Sequence, residues 1–157
     1  MSLNTDLYVR DFYTWCLEQA ALLEARDADA LDWTHLAEEM QLLAGSERRA
    51  LRSFLRGLLL HLLKWQYQPE MRQTGSSWKR SIKNGRREVQ DLLQDEPGLK
   101  HVLNDTLTRA YEYAREDAAD ETHLPLETFP ETCPWTPEQV LDPDFWPGEA
   151  SDTTPRP

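Results

Sequence analysis

His61 lies between Leu60 and Leu62 in the most apolar stretch of the chain, residues 58–63. An imidazole can carry a proton or ligate a metal. The plainer reading is a buried histidine bonded to a neighbouring carboxylate or carbonyl, and the apolar flanks favour it. Glu38, Glu39 and Glu47 are the acids expected to converge with His61 if it has a chemical role. Lys64, Trp65, Arg72 and Trp78 complete a candidate polar pocket. Two alternatives follow for Glu47. On one continuous helix it shares the stripe of His61, fourteen residues away, and a carboxylate in the core demands a partner. If Ser46 instead caps a new helix, Glu47 stands in its first turn and meets the helix dipole favourably. At least one of Glu38 and Glu39 is expected on a solvated face.

Other chemistry finds little support. Carboxylate-bridged di-metal bundles repeat Glu-x-x-His on two helices and add a Glu from each of two more. Here the nearest pattern is His35-x-x-Glu38, reversed and single, while His101 and His123 lack a Glu three residues before. No metal site, cofactor or catalytic residue is therefore assigned. Cys16 falls on an apolar helix face and Cys133 precedes Pro134, so both read as packed side chains. The six glycines are scattered and form no phosphate-cradling loop.

The strongest signal is charge asymmetry. Residues 46–87 hold eleven Lys/Arg against two acids, +9, while the rest holds six against 26, −20, which together give the net −11. Arg48, Arg49, Arg52 and Arg56 share one broad helix face, and Lys79, Arg80, Lys83, Arg86 and Arg87 decorate another. With Trp65 and Trp78 beside them these are candidate anion-binding residues, since guanidinium forks match phosphate and indoles stack on bases. The alternative is pairing with the acidic ends, such as the acids between residues 112 and 121. A net negative chain repels nucleic acid at long range. Pairing within the chain or with a protein partner is thus preferred to nucleic acid.

These residues need helices to place them. Apolar spacing predicts a first helix over residues 4–26, capped by Asn4 or Thr5, with Tyr8, Phe12, Trp15, Cys16, Leu22 and Leu23 inward. Asp32 caps a second helix facing inward through Trp33, Leu36, Met40 and Leu43. Gly45-Ser46 reads as a stop and a new cap, although the stripe keeps its phase through Gly45, so the second and third helices are alternatively one kinked helix. The third, residues 46–66, is apolar nearly all round in its second half and therefore central. Ser76 or Ser77 caps a fourth helix, which Gly85 weakens by about 1 kcal/mol. Pro97 opens a fifth that ends near Glu121. Six prolines from Pro125 to Pro147 forbid a long helix at the end of the chain. Phe129, Trp135, Phe145 and Trp146 make residues 124–147 a strap over the helices, with a capping box at Thr136-Pro137-Glu138-Gln139. Residues 148–157 read as a disordered tail.

The expected fold is all-α: an irregular bundle of four to five helices and a Pro/aromatic-rich C-terminal strap, in a single domain over residues 1–147. No apolar run approaches the ~20 residues of a membrane span, and residues 1–10 lack the pattern of a signal peptide. Two distant cysteines suit a reducing cytoplasm.

Leu31-Asp32-Trp33, Leu36-Ala37-Glu38-Glu39, Ser46-Glu47-Arg48-Arg49 and the run His61-Leu62-Leu63-Lys64-Trp65-Gln66-Tyr67-Gln68-Pro69-Glu70 resemble the bacterial family DUF29. So do Ser77-Trp78, Phe129-Pro130-Glu131-Thr132-Cys133-Pro134-Trp135-Thr136 and Asp144-Phe145-Trp146-Pro147. The resemblance implies an all-helical protein of unknown function and supplies no catalytic residues. The leading expectation is a non-enzymatic interaction module pairing with a protein partner or a second copy. The alternatives are polyanion binding through the basic middle, and a small-ligand or metal-dependent enzyme around His61.

Overall fold

The computed structural model describes residues 3–73 and 76–148, and of these Leu3, Asn4, Thr5 and Ser76 by backbone alone. The side chains of the expected caps Asn4, Thr5 and Ser76, and nearly all of the expected disordered tail, lie outside what is described. Among the described residues every regular element is helical: α1 (Leu3–Arg10), α2 (Phe12–Glu24), α3 (Trp33–Tyr67), α4 (Ser76–Asp95), α5 (Leu103–Thr122) and α6 (Pro137–Leu141), with 3₁₀ turns at Pro69–Met71, Pro97–Val102 and Leu126–Thr128. The chain forms two compact units, Met1–Ser46 and Glu47–Pro157.

Three boundaries differ from the leading sequence expectation; one is the start of the fifth helix, where Pro97–Val102 is 3₁₀ and α5 begins only at Leu103. The first expected helix is two, divided at Asp11. That residue leaves helical geometry (φ −149°, ψ 83°) and caps α2, its carboxylate accepting from the Thr14 N–H at 3.1 Å and hydroxyl at 2.6 Å. These two bonds hold the Asp11 carboxyl below its ordinary pKa. The second and third expected helices are the single α3, the alternative that the unbroken phase of the stripe offers, and it runs through Gly45 without a stop. One mid-helix glycine costs about 1 kcal/mol, and strong helix formers on both sides outweigh it.

In the Met1–Ser46 unit a polar knot organises the turn between α2 and α3. Asp32 caps α3 through the His35 N–H, accepts from the Trp15 indole at 3.1 Å and lies 2.7 Å from His35 Nδ1. The buried Gln19 accepts from the Asp32 N–H at 2.8 Å. Burial pushes the Asp32 carboxyl up, but the bonds from His35 and Trp15 outweigh it and leave the group below its ordinary pKa. Asp32→Ala strands the indole N–H of Trp15, which is 2% exposed, and should destabilise this unit by about 1–3 kcal/mol. The carboxylate's contribution is fully present above its unfolded pKa of about 3.9 and is lost as pH falls through the lower folded value. Residue-resolved amide exchange against pH checks both the size and the sign.

In the Glu47–Pro157 unit the second half of α3 is the hub, as its all-round apolarity predicts. Leu51, Leu55, Leu58, Leu59, Leu62 and Leu63 are fully buried. Around them pack Ile82 and Val89 of α4, Leu107, Tyr111 and Ala114 of α5, and Phe129, Trp135 and Val140 of the strap. Gly85 shows why α4 tolerates a poor helix former: a Cβ there would lie 3.2 Å from Leu58 Cβ, so its backbone presses against α3. Gly85→Leu should therefore cost about 2–3 kcal/mol through overpacking. For Gly85→Ala the propensity gain opposes the squeeze and the change is near neutral; urea denaturation distinguishes the two.

The strap is irregular backbone, so its carbonyls need donors. Tyr111 Oη donates to Pro130 O at 2.5 Å, Arg115 Nε to Phe129 O at 3.1 Å and Gln90 Nε2 to Leu141 O at 3.0 Å. Arg86 supplies two more, to Val140 O at 2.8 Å and Phe145 O at 2.6 Å. The capping box expected at Thr136 and Gln139 opens α6.

Candidate functional site

Within the Glu47–Pro157 unit, Glu47 does not join His61. Glu47 is exposed on α3, and the fourteen residues that separate it from His61 on the same helix correspond to about 21 Å. His61 is half-buried and its Nδ1 lies 2.8 Å from Gly57 O. A carbonyl only accepts, so Nδ1 carries the proton and Nε2 keeps the lone pair in the neutral ring. The hollow beside it, about 270 Å³, also holds Ser53, Ser81, Asn84 and Glu88. Among the described residues no hydrogen bond joins His61 to a serine or a carboxylate, and no three His, Cys, Asp or Glu side chains stand close enough to share a metal. Glu38 and Glu39 belong to the Met1–Ser46 unit, where the Tyr8 hydroxyl donates to Glu39 Oε1 at 2.5 Å. That bond raises the Tyr8 pKa to about 12.

Lys64, Trp65, Arg72 and Trp78 do gather, but as the seat of the strap's end. Arg72 Nε donates to Trp65 O at 2.6 Å and its guanidinium lies 4.9 Å from the Trp65 ring centre. Trp65 packs against Trp146 at 4.7 Å. Lys64 Nζ sits over Trp78 and pairs with Glu121 at 3.3 Å.

The candidate anion-binding residues divide. Arg48, Arg49, Lys79, Arg80, Lys83 and Arg87 are exposed. Arg56 is bound to Asp117 through two nitrogens, and beside it Arg49, Arg52 and Tyr113 line a hollow of about 320 Å³. The Arg56–Asp117 and Lys64–Glu121 pairs tie the basic middle to the acids of α5, the intramolecular pairing expected from the charge split. Arg86, grouped with the surface cations from sequence, is only 3% exposed. Charge alone could not mark it, because its place follows from carbonyls contributed by residues more than fifty positions away.

The feature that sequence reasoning missed is in the Met1–Ser46 unit. Phe12 and Leu23 of α2 and Met40 and Leu43 of α3, all expected inward, are 47%, 52%, 61% and 60% exposed. Trp33, also expected inward, is 63% exposed. With Trp15 and Leu36, the first four line an apolar groove of about 370 Å³. Nine of the twelve exposed large apolar side chains among the described residues fall in this unit, so the apolar exposure is concentrated and not scattered; concentrated patches mark interaction surfaces. Glu39 lines the groove. Neither α2 nor the α3 stretch up to Ser46 carries Lys or Arg, and residues 1–46 hold nine acids against two basic residues, a net −7. Amphipathic spacing predicted these apolar faces correctly; what it cannot supply is the element that covers them.

Cys133 of the strap is partly buried against the core, and burial pushes its thiol pKa up, which keeps it an unreactive thiol.

Among known proteins, the family model described as "Domain of unknown function DUF29" matches residues 7–146. No curated protein matches, and no solved structure matches.

Proposed function

This chain belongs to the DUF29 family, a domain of unknown function that takes in both compact units and the strap, and on that premise we propose that it works by binding and not by catalysis. The apolar groove between α2 and the first part of α3 takes an amphipathic helix with basic flanks from a partner protein. The observation that carries this reading is the groove itself, with Phe12, Leu23, Met40 and Leu43 about half exposed on α2 and the α3 stretch up to Ser46, neither of which carries Lys or Arg. An apolar helix face laid into such a groove buries these side chains at i, i+3, i+4 and i+7 spacing. Acids around the groove select basic flanks and speed encounter. A second copy is a poorer occupant, because two grooves of net −7 units repel when brought face to face. Phe12 and Leu23 are eleven residues apart, about 16 Å along α2, which suits a helix of about three turns.

Fluorescence anisotropy with a labelled Leu/Lys amphipathic peptide of about 14 residues tests the reading. The expected result is saturable one-to-one binding, about tenfold or more weaker for a peptide whose leucines are glutamines and whose charge is unchanged. Equal binding of the two peptides, or none, overturns it. A groove-dependent dimer seen by sedimentation equilibrium would replace the partner helix with a second copy and overturn it as well.

A further inference from the structure

In the Glu47–Pro157 unit the guanidinium of Arg86 is buried without a carboxylate. It is 3% exposed, and among the described residues no ion pair reaches it. Two of its nitrogens serve strap carbonyls, its Cζ lies 5.4 Å from the Trp146 ring centre, and Nη1 has no protein acceptor. A buried cation is costly unless an anion and a full set of hydrogen bonds compensate it. Burial accordingly draws the Arg86 pKa down, opposed only by the more distant charge of Asp142.

Arg86 also forms part of the wall of a groove of about 430 Å³ between α4 and the strap. Lys83, Arg87 and Asp91 line it from α4, and Leu141 and Pro143 form an apolar wall opposite. Lys83 and Arg87 are exposed and neither has a carboxylate partner among the described residues. The lining therefore holds three cations against one acid. The hollow at Arg49, Arg52 and Arg56 is a weaker site, since Asp117 binds Arg56 directly and Glu116 adds a second negative charge acting on it.

We propose that the Arg86 groove binds the phosphoryl group of a small phosphate monoester. A phosphate monoester carries about −1.5 to −2 at neutral pH with three strong acceptor oxygens. That answers the surplus of positive charge, which Asp91 in the lining and the more distant Asp142 only partly offset, better than a single carboxylate does. Arg87 and Lys83 supply charge-assisted donors at the mouth, Arg86 adds its positive charge from the wall, and the organic part of the ester rests on Leu141 and Pro143.

Arginine Nε–Hε resonances titrated with phenyl phosphate, inorganic phosphate and benzoate at fixed ionic strength test the proposal. Saturable shifts of Arg86 and Arg87 are expected with both phosphates, with benzoate about tenfold or more weaker. The double variant Lys83→Gln, Arg87→Gln changes only exposed side chains. It should leave the Arg86 resonance in place without ligand, which shows the strap intact, and weaken phenyl phosphate binding about tenfold. Shifts that do not saturate, equal binding of benzoate, or unchanged affinity in the double variant overturn the proposal.

Discussion

Phe129→Ala should lower the unfolding free energy of the Glu47–Pro157 unit by about 3–5 kcal/mol. Phe129 is 1% exposed, and its ring meets Tyr67 edge-on at 5.2 Å. Its carbonyl is held by Arg115 and the next by Tyr111, so the backbone cannot easily collapse into the space the ring leaves. The loss is thus the transfer term plus a persistent cavity. Against a typical total of about 5–15 kcal/mol, it is enough to bring the unit near its unfolding threshold. Leu126→Ala in the same strap, at a residue 36% exposed, is the control and should stay within about 0.5 kcal/mol of the parent. Urea denaturation of both variants gives the comparison. If Phe129→Ala costs no more than Leu126→Ala, the strap is not part of the core.

Met40→Gln with Leu43→Gln should weaken binding of the cationic amphipathic peptide by about thirtyfold or more, the effect of removing one hot spot of ~2 kcal/mol. Both side chains are about 60% exposed, so their loss should change stability by about 0.5 kcal/mol or less each. Glutamine keeps the net charge, so the deficit measures apolar contact and not steering. It should appear chiefly in the dissociation rate. Raising salt should instead slow association in the parent and the variant alike, because the acids around the groove are unchanged. A double variant that binds as tightly as the parent would place the peptide elsewhere.

Much of this fold can be read from residue types and spacing. A helix that repeats leucine on nearly every face, from Leu51 to Leu63, has to be central. Aromatics spaced among prolines, as at Phe129, Trp135 and Trp146, have to lie over something, and Phe129 and Trp135 are buried while Trp146 is partly so. Thr136 and Gln139 announce their own capping box. Where the reading failed, the deciding interactions were not periodic. Asp11 breaks a helix with a local side-chain bond that competes with an otherwise unbroken apolar stripe. Gly45 looks like a stop because propensity weighs one residue, while the continuous helix depends on its neighbours. Arg86 looks like a surface charge because nothing in α4 announces the distant carbonyls it serves. The faces of Phe12, Leu23, Met40 and Leu43 look like core because amphipathicity shows that a face is apolar and never what meets it. A shared stripe likewise does not bring residues together: Glu47 shares one with His61 but stands about four helical turns away.

The most direct test of the groove is a set of isotope-filtered NOEs between the unlabelled Leu/Lys peptide and the methyl-labelled chain. Contacts from the peptide leucines to the methyls of Leu23, Leu36, Met40 and Leu43 are the predicted result. Contacts confined to the acidic surface of α5, around Glu112 and Glu116, with none to those four residues, would contradict it.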